Sequence, residues 1–311
     1  MPTNRGAFKL FSLAGIGVYV HWSWFLTFYI LPRLWERHYS NYAWFALEIL
    51  GLFLIVLTHE FGHQLACRSV GGKTHDIVLW PLGGVAYVSP PERPGAQLWS
   101  IAAGPLVNVI LVPILTGLWL LGRQIGWGEA APDIFQLLTN IWFINVGLLI
   151  FNMMPIYPLD GGQILRSLLW FLFGRANSLS ATSIIGFIGA AGLVVLTVYS
   201  FLSAETDKER NGAIWIGVMA AFILMNCWGG LRHAQALARI ARIPRRPGFA
   251  CPSCHTAPPL GEVWRCGKCG QAFDTFATQA QCPHCGTQFG VTQCLDCGTA
   301  SPIGAWQGPI N

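Results

Sequence analysis

Six apolar runs occupy most of residues 11–231, at 15–34, 42–66, 96–121, 134–154, 181–203 and 211–231. Each is about the 20 residues that some 30 Å of hydrocarbon demands of a helix. A chain patterned this way has few folds open to it, because backbone polar groups inside lipid must be satisfied within the segment that carries them. The expected fold is mainly α: a polytopic membrane protein with about six transmembrane helices. A further stretch, 162–173, is too short to cross alone and reads as continuing the fourth element as a broken or re-entrant helix. Charged residues are 11% of the chain and mean hydropathy is +0.47, against about 25% charge in a soluble domain. That balance excludes disorder and argues against a cytosolic globule. The start MPTNRGAFKL lacks a clean apolar core followed by a small-residue cleavage site, so the first run is expected to be retained.

Orientation follows from the basic residues. With the N-terminus inside, 12 of the 19 lysines and arginines fall on its side of the membrane and 5 in the opposite loops. The positive-inside rule then puts both termini in the cytoplasm.

Polar groups within a span are costly and point to function. The second run contains His59, Glu60 and His63 as H-E-x-x-H. On a helix the two histidines lie one turn apart on one face and can reach one Zn²⁺, with Glu60 close enough to handle water without ligating. The plainer alternative is a polar helix–helix contact. A third ligand is needed, and Asp160 in FNMMPIYPLDGGQILRS offers a carboxylate where Pro155 and Pro158 break the fourth helix and Gly161 and Gly162 admit a close backbone. Glu48 is the rival, but eleven residues before His59 it lies about 16 Å away along the helix. His21 reads as an interfacial or interhelical residue, His38, His75 and His233 as loop or span-end residues, and Cys67 and Cys227 as small buried side chains.

These residues carry a resemblance. HEFGH followed by N-x-x-P-x-x-P-L-D-G-G resembles the site-2 protease family of intramembrane zinc metalloproteases. GIGVYVHWSWF, PLGGVAYV and AAGPLVNVI are similar to its bacterial, sporulation-factor-protease-like branch, over roughly residues 11–175. The resemblance implies a protease of a bacterial plasma membrane that cuts transmembrane segments of other proteins. His59, His63 and Asp160 would be the zinc ligands, Glu60 the general base, and Asn152 a residue that positions the substrate carbonyl or its oxyanion. Residues 76–88 read as a short membrane-associated hairpin or re-entrant loop centred on Gly83 and Gly84. In the family the matching region offers a strand edge to substrate, which makes Gly83, Gly84 and Val85 substrate-binding candidates.

The C-terminal material differs. Of 10 cysteines, eight lie after residue 250 as four C-x-x-C knuckles: Cys251/Cys254, Cys266/Cys269, Cys282/Cys285 and Cys294/Cys297. The gaps between knuckles, 11, 12 and 8 residues, suit two Cys₄ zinc sites. The arrangement resembles a tandem zinc ribbon in which the first two knuckles share one zinc and the last two the other, with a cross-braced pairing as the alternative. Disulfides are disfavoured for a cytoplasmic tail, and little apolar content remains to fold it without metal. The expected division is a membrane domain over 1–235, a basic linker over 236–250 and a short-β zinc-ribbon domain over 251–311. Arg265 and Lys268 face Glu262, Asp274 and Asp296 in the tail, a net of −1 that argues against nucleic acid. A cytoplasmic protein regulator is the better expected partner, and the basic stretch 239–246 is expected to meet anionic lipid headgroups. In all, one catalytic and two structural zinc ions are expected. An inactive membrane scaffold would show a broken triad, and a metal transporter would show repeats in hydropathy; neither feature is found.

Overall fold

The computed structural model describes residues 6–26, 39–80 and 83–306, the side chains of Val85 and Lys208 excepted. The chain divides into two compact units, one of Met1–Gly174 with Ser178–Leu231 and one of Arg175–Asn177 with Arg232–Asn311.

The first unit opens with strand, not helix. Strands β1 (Ala7–Leu13) and β2 (Ile16–His21) form an antiparallel hairpin, followed by a 3-10 turn over Trp22–Leu26. Its two-residue loop is Ala14-Gly15, both at positive φ (52° and 75°), the twist a tight hairpin needs. The expected first span, 15–34, is therefore wrong over 16–26, and 27–38 lie outside the described residues. The physical reason is visible in β2: the branched side chains Ile16, Val18 and Val20 fall on every second residue and are all buried, a period of two rather than 3.6.

Five helices are long and apolar enough to cross a membrane among the described residues, against the six expected. They are α1 (Tyr42–Ser69), α2 (Pro94–Gln124), α3 (Pro132–Met153), α4 (Asp160–Leu202) and α5 (Asp207–Ala241). Stretch 162–173 does resume as helix after a break at 154–159, but it runs on into the fifth apolar run rather than standing alone. A kink at Gly174, with φ 76° and ψ 172°, marks the junction.

Between α1 and α2 lie β3 (Lys73–Trp80) and β4 (Gly83–Ser89), an antiparallel pair covering the expected hairpin. It is not isolated. The four strands form one sheet in the order β1-β2-β3-β4, with β2 and β3 parallel through Val18↔Ile77, Tyr19↔Val78 and Val20↔Leu79. Parallel neighbours need a crossover, and α1 supplies it. Ile16, Val18, Val20, Ile77 and Leu79 pack on Leu57, with Phe53, Val56 and Phe61 of α1 alongside.

In the second unit, among the described residues, two short hairpins and two isolated bridges accompany a core of Trp264, Phe273, Phe276 and Trp306. The hairpins are β5 (Trp264–Arg265) with β6 (Ala272–Phe273), and β7 (Thr292–Gln293) with β8 (Ala300–Ser301).

Candidate metal centre and its surroundings

His59 and His63 share one face of α1, as the i, i+4 spacing dictates, and both are buried. Asp160 is the first residue of α4. Their metal-facing atoms converge: His59 Nε2 lies 3.1 Å from His63 Nε2 and 3.0 Å from Asp160 Oδ2, and His63 Nε2 lies 3.5 Å from Asp160 Oδ2. A tetrahedral ion held at about 2.0–2.1 Å has ligand–ligand edges of about 3.3–3.4 Å. The triangle brackets that value, so these three residues fit zinc.

The local sequence explains how three elements come so close. Gly62, the glycine of HEFGH, faces α2: a Cβ there would sit 2.6 Å from the Ala103 carbonyl. One residue on, a Cβ at Gly104 would sit 2.3 Å from His63 Nε2 and 2.8 Å from His59 Nε2. Small residues thus let α1 and α2 approach at the level of the imidazoles. Asp160 is placed by Gly161 and Gly162, where Cβ atoms would meet the Met153 carbonyl and the Ile156–Tyr157 peptide at 2.4 Å. The same 154–159 loop is held from its other side by α4 and α5. Cys227 Sγ donates to the Tyr157 carbonyl at 3.0 Å, and Gly186 and Gly230 leave room for Tyr157.

The outer nitrogens of both imidazoles have partners. His63 Nδ1 lies 2.9 Å from the Ser100 carbonyl, and His59 Nδ1 lies 2.6 Å from Oδ1 of Asn108, itself fully buried. Such partners orient ligating histidines. Spacing alone missed Asn108, Ser100 and Gly104. The available signal was a buried amide and a glycine within AAGPLVNVI, in a span that should otherwise be apolar.

Glu60 is buried beside the triangle, its Oε2 accepting a hydrogen bond from Ala86 N–H of β4 at 2.8 Å. Gly84 is packed against it, since a Cβ there would sit 2.4 Å from Glu60 Cγ. Gly83 and Gly84 open β4, Val85 pairs with Val78 of β3, and β4 is an edge strand. Asn152 lies in the last turn of α3, half-buried, and its side chain makes no hydrogen bond among the described residues. Glu48 is engaged elsewhere, accepting from Tyr39 Oη at 2.7 Å and Asn140 Nδ2 at 2.9 Å. His21 bonds with Ser23.

Among relatives, stage IV sporulation protein FB of Bacillus subtilis is 32% identical over 203 residues, 61% of this chain and 67% of that protein. The model of peptidase family M50 matches residues 47–126 and 124–196. The chain belongs to peptidase family M50, the site-2 proteases. The M50 match takes in both histidines, Asp160 and β4, and ends inside α4. A zinc metalloprotease of Methanocaldococcus jannaschii is 32% identical over 195 residues, covering 63% of this chain and 54% of its own. A Synechocystis relative is 29% identical over 235 residues, 72% of this chain and 59% of its own. The chain thus spans little more than half the length of the latter two. Membership and five apolar helices make it an integral membrane protein.

The tail cysteines gather differently from expectation. One group is Cys251, Cys254, Cys294 and Cys297; the other is Cys266, Cys269, Cys282 and Cys285. The first knuckle pairs with the last and the second with the third, so both the tandem pairing and the cross-braced alternative are overturned. Nesting follows from the core. Trp264 packs on Phe276, Phe276 packs on Trp306, and Ala250 N–H donates to the Trp306 carbonyl, which brings the tail's two ends together. Sulfur–sulfur distances are 3.6 Å (Cys251–Cys297), 3.8 Å (Cys254–Cys294), 3.5 Å (Cys266–Cys285) and 3.7 Å (Cys269–Cys282). Tetrahedral zinc with sulfur at about 2.3 Å requires about 3.8 Å, whereas a disulfide needs about 2.05 Å. The thiols therefore fit metal. Thr287, through hydroxyl and N–H, holds the Cys285 thiol down to about 6.

Each knuckle is the same loop. The N–H of His255, Gly270, Gly286 or Gly298 donates to the first cysteine's carbonyl at 2.8–2.9 Å, and all four residues have positive φ. In the basic stretch, Arg245 pairs bidentately with Asp296, at 2.7 and 3.1 Å, and Arg246 pairs with Asp274.

Proposed function

We propose that this chain is an intramembrane zinc metalloprotease that hydrolyses peptide bonds within or near transmembrane segments of other membrane proteins. What carries the reading is the convergence of His59 Nε2, His63 Nε2 and Asp160 Oδ2 within 3.0–3.5 Å of one another, with a buried carboxylate beside them. Zinc, when bound by these three, supplies a Lewis acid that polarises the scissile carbonyl and acidifies water. Glu60 takes the proton from the attacking water and returns it to the departing amine. Its Ala86 hydrogen bond leaves Oε1 as the oxygen for that exchange. Asn152 positions the substrate carbonyl.

The substrate segment must unwind to be cut, and β4, with Gly83, Gly84 and Val85, receives it as an added strand that restores backbone hydrogen bonds. The two cysteine groups each hold one structural zinc, and the tail binds a cytoplasmic protein that regulates cleavage. Both termini lie in the cytoplasm of a bacterial plasma membrane.

The test is cleavage of a model transmembrane substrate by the purified chain beside its Glu60→Gln variant. Loss of a general base should slow cutting by about 10²–10⁴-fold. Equal cutting by the two proteins would end the protease reading.

A further inference from the structure

Two buried amides stand behind His59, and their orientation can be worked out from one backbone atom. Asn145 of α3 directs Nδ2 to the main-chain carbonyl of Asn108 at 3.1 Å. A carbonyl can only accept, so the Asn145 amide has one orientation. Its Oδ1 therefore faces α2, where it takes a hydrogen bond from Asn108 Nδ2 at 2.8 Å. That donation leaves Asn108 Oδ1 pointing the other way, 2.6 Å from His59 Nδ1. An amide oxygen accepts and cannot donate, so Nδ1 must carry the proton. The lone pair of His59 is then confined to Nε2, the atom that faces His63 and Asp160. Both asparagines are fully buried, so water does not compete for these bonds.

We infer that Asn108 and Asn145 are positioning residues: Asn145 sets the direction of the Asn108 amide, and Asn108 sets the tautomer and ring plane of His59 for metal binding. This rests on the zinc reading above. Neither asparagine touches the metal-facing atoms. His63 is served instead by the Ser100 carbonyl, a backbone group that no side-chain change removes. The relay therefore acts on one arm of the site, and losing it should weaken the metal rather than abolish the fold.

The experiment uses the full chain in detergent and reads zinc retained against a competing chelator. A His59→Ala, His63→Ala double variant gives the share held by the tail thiols, and the difference from the parent is the α1 site. Asn108→Leu, close in size but without an acceptor, should lose 10–100-fold in affinity at that site, the usual effect of removing such a partner. Asn108→Ser, which shortens the reach, is the milder version should Leu fail to fold. Asn108→Asp keeps the acceptor and should restore most of the affinity, which a purely structural amide would not predict. Asn145→Leu should lose less than Asn108→Leu, since the Asn108 amide is then free to turn over. If parent and double variant hold equal zinc, the metal reading itself fails. If the parent holds more but Asn108→Leu, or Ser, holds as much as the parent, the relay alone is wrong. Failure of Asn108→Asp to rescue would also overturn it.

Discussion

Ala86 N–H donates to Oε2 of Glu60 at 2.8 Å, tying the edge strand of a β-sheet to the carboxylate beside three converging ligand atoms. The register accounts for this. Ala86 lies opposite Ile77, and its N–H points away from β3 towards α1. An edge N–H that would otherwise seek a partner thus fixes one oxygen of the Glu60 carboxylate and leaves the other for the proton transfer proposed above. Glu60 and the strand proposed to hold substrate are in direct contact.

Gly84→Ala tests that contact. The new methyl would lie 2.4–2.7 Å from Cγ, Oε1 and Cδ of Glu60, so the carboxylate must turn away. Zinc content should stay at the parent's level while cleavage falls by about 100-fold or more, the scale of a lost general base. Loss of zinc together with activity would show that Gly84 serves the metal instead.

Gly104→Ala should do the reverse. Its methyl would meet His63 Nε2 at 2.3 Å and His59 Nε2 at 2.8 Å. The chain should lose one zinc, as counted by metal analysis, and all cleavage. Gly117→Ala on the same helix, with nothing within 4 Å, should change neither.

The nested tail makes a pairwise prediction. Cys251→Ser and Cys297→Ser should each remove one chelator-resistant zinc, and the double variant should remove that same one. Combining Cys251→Ser with Cys266→Ser should remove two, because these cysteines belong to different groups. Consecutive pairing of knuckles would give one for that last combination.

His255 offers a stabilising change. It holds φ 57° where the other three knuckles place glycine at 69–76°. A left-handed conformation costs an L-residue about 1 kcal/mol or slightly more, so His255→Gly should stabilise the tail by about 1 kcal/mol. Read as zinc lost from the tail to a chelator, the half-time should lengthen about fivefold. An unchanged or shorter half-time would show that the His255 side chain contributes more than its backbone costs.

The metal triangle was legible in the sequence because H-E-x-x-H is a helix-face statement, and because a carboxylate in a proline-broken apolar run has few other reasons to be there. Asp160 could be named for the same reason that Glu48 could be set aside: the rise per residue excludes the latter. What stayed hidden depended on contacts between distant segments. Residues 16–20 are as apolar as a span, and only their alternation, with Ala14-Gly15 before them, separates strand from helix. Knuckle spacing is compatible with several pairings, and a core of Trp264, Phe276 and Trp306 chose the nested one. The direction of the Asn108 amide depends on an α3 residue 37 positions away, beyond the reach of any local pattern.

Because α1 is the crossover between β2 and β3, the helix bearing Glu60 and the strand β4 belong to one continuous, hydrogen-bonded piece of chain. A peptide laid along β4 would enter a ruler whose zero mark is Ala86. The bond that is cut would then be chosen by counting residues along the added strand from that mark. Sliding the peptide by two residues would bring a new bond to Glu60 with the same faces presented, so the enzyme would read position and looseness of helix before it read side chains.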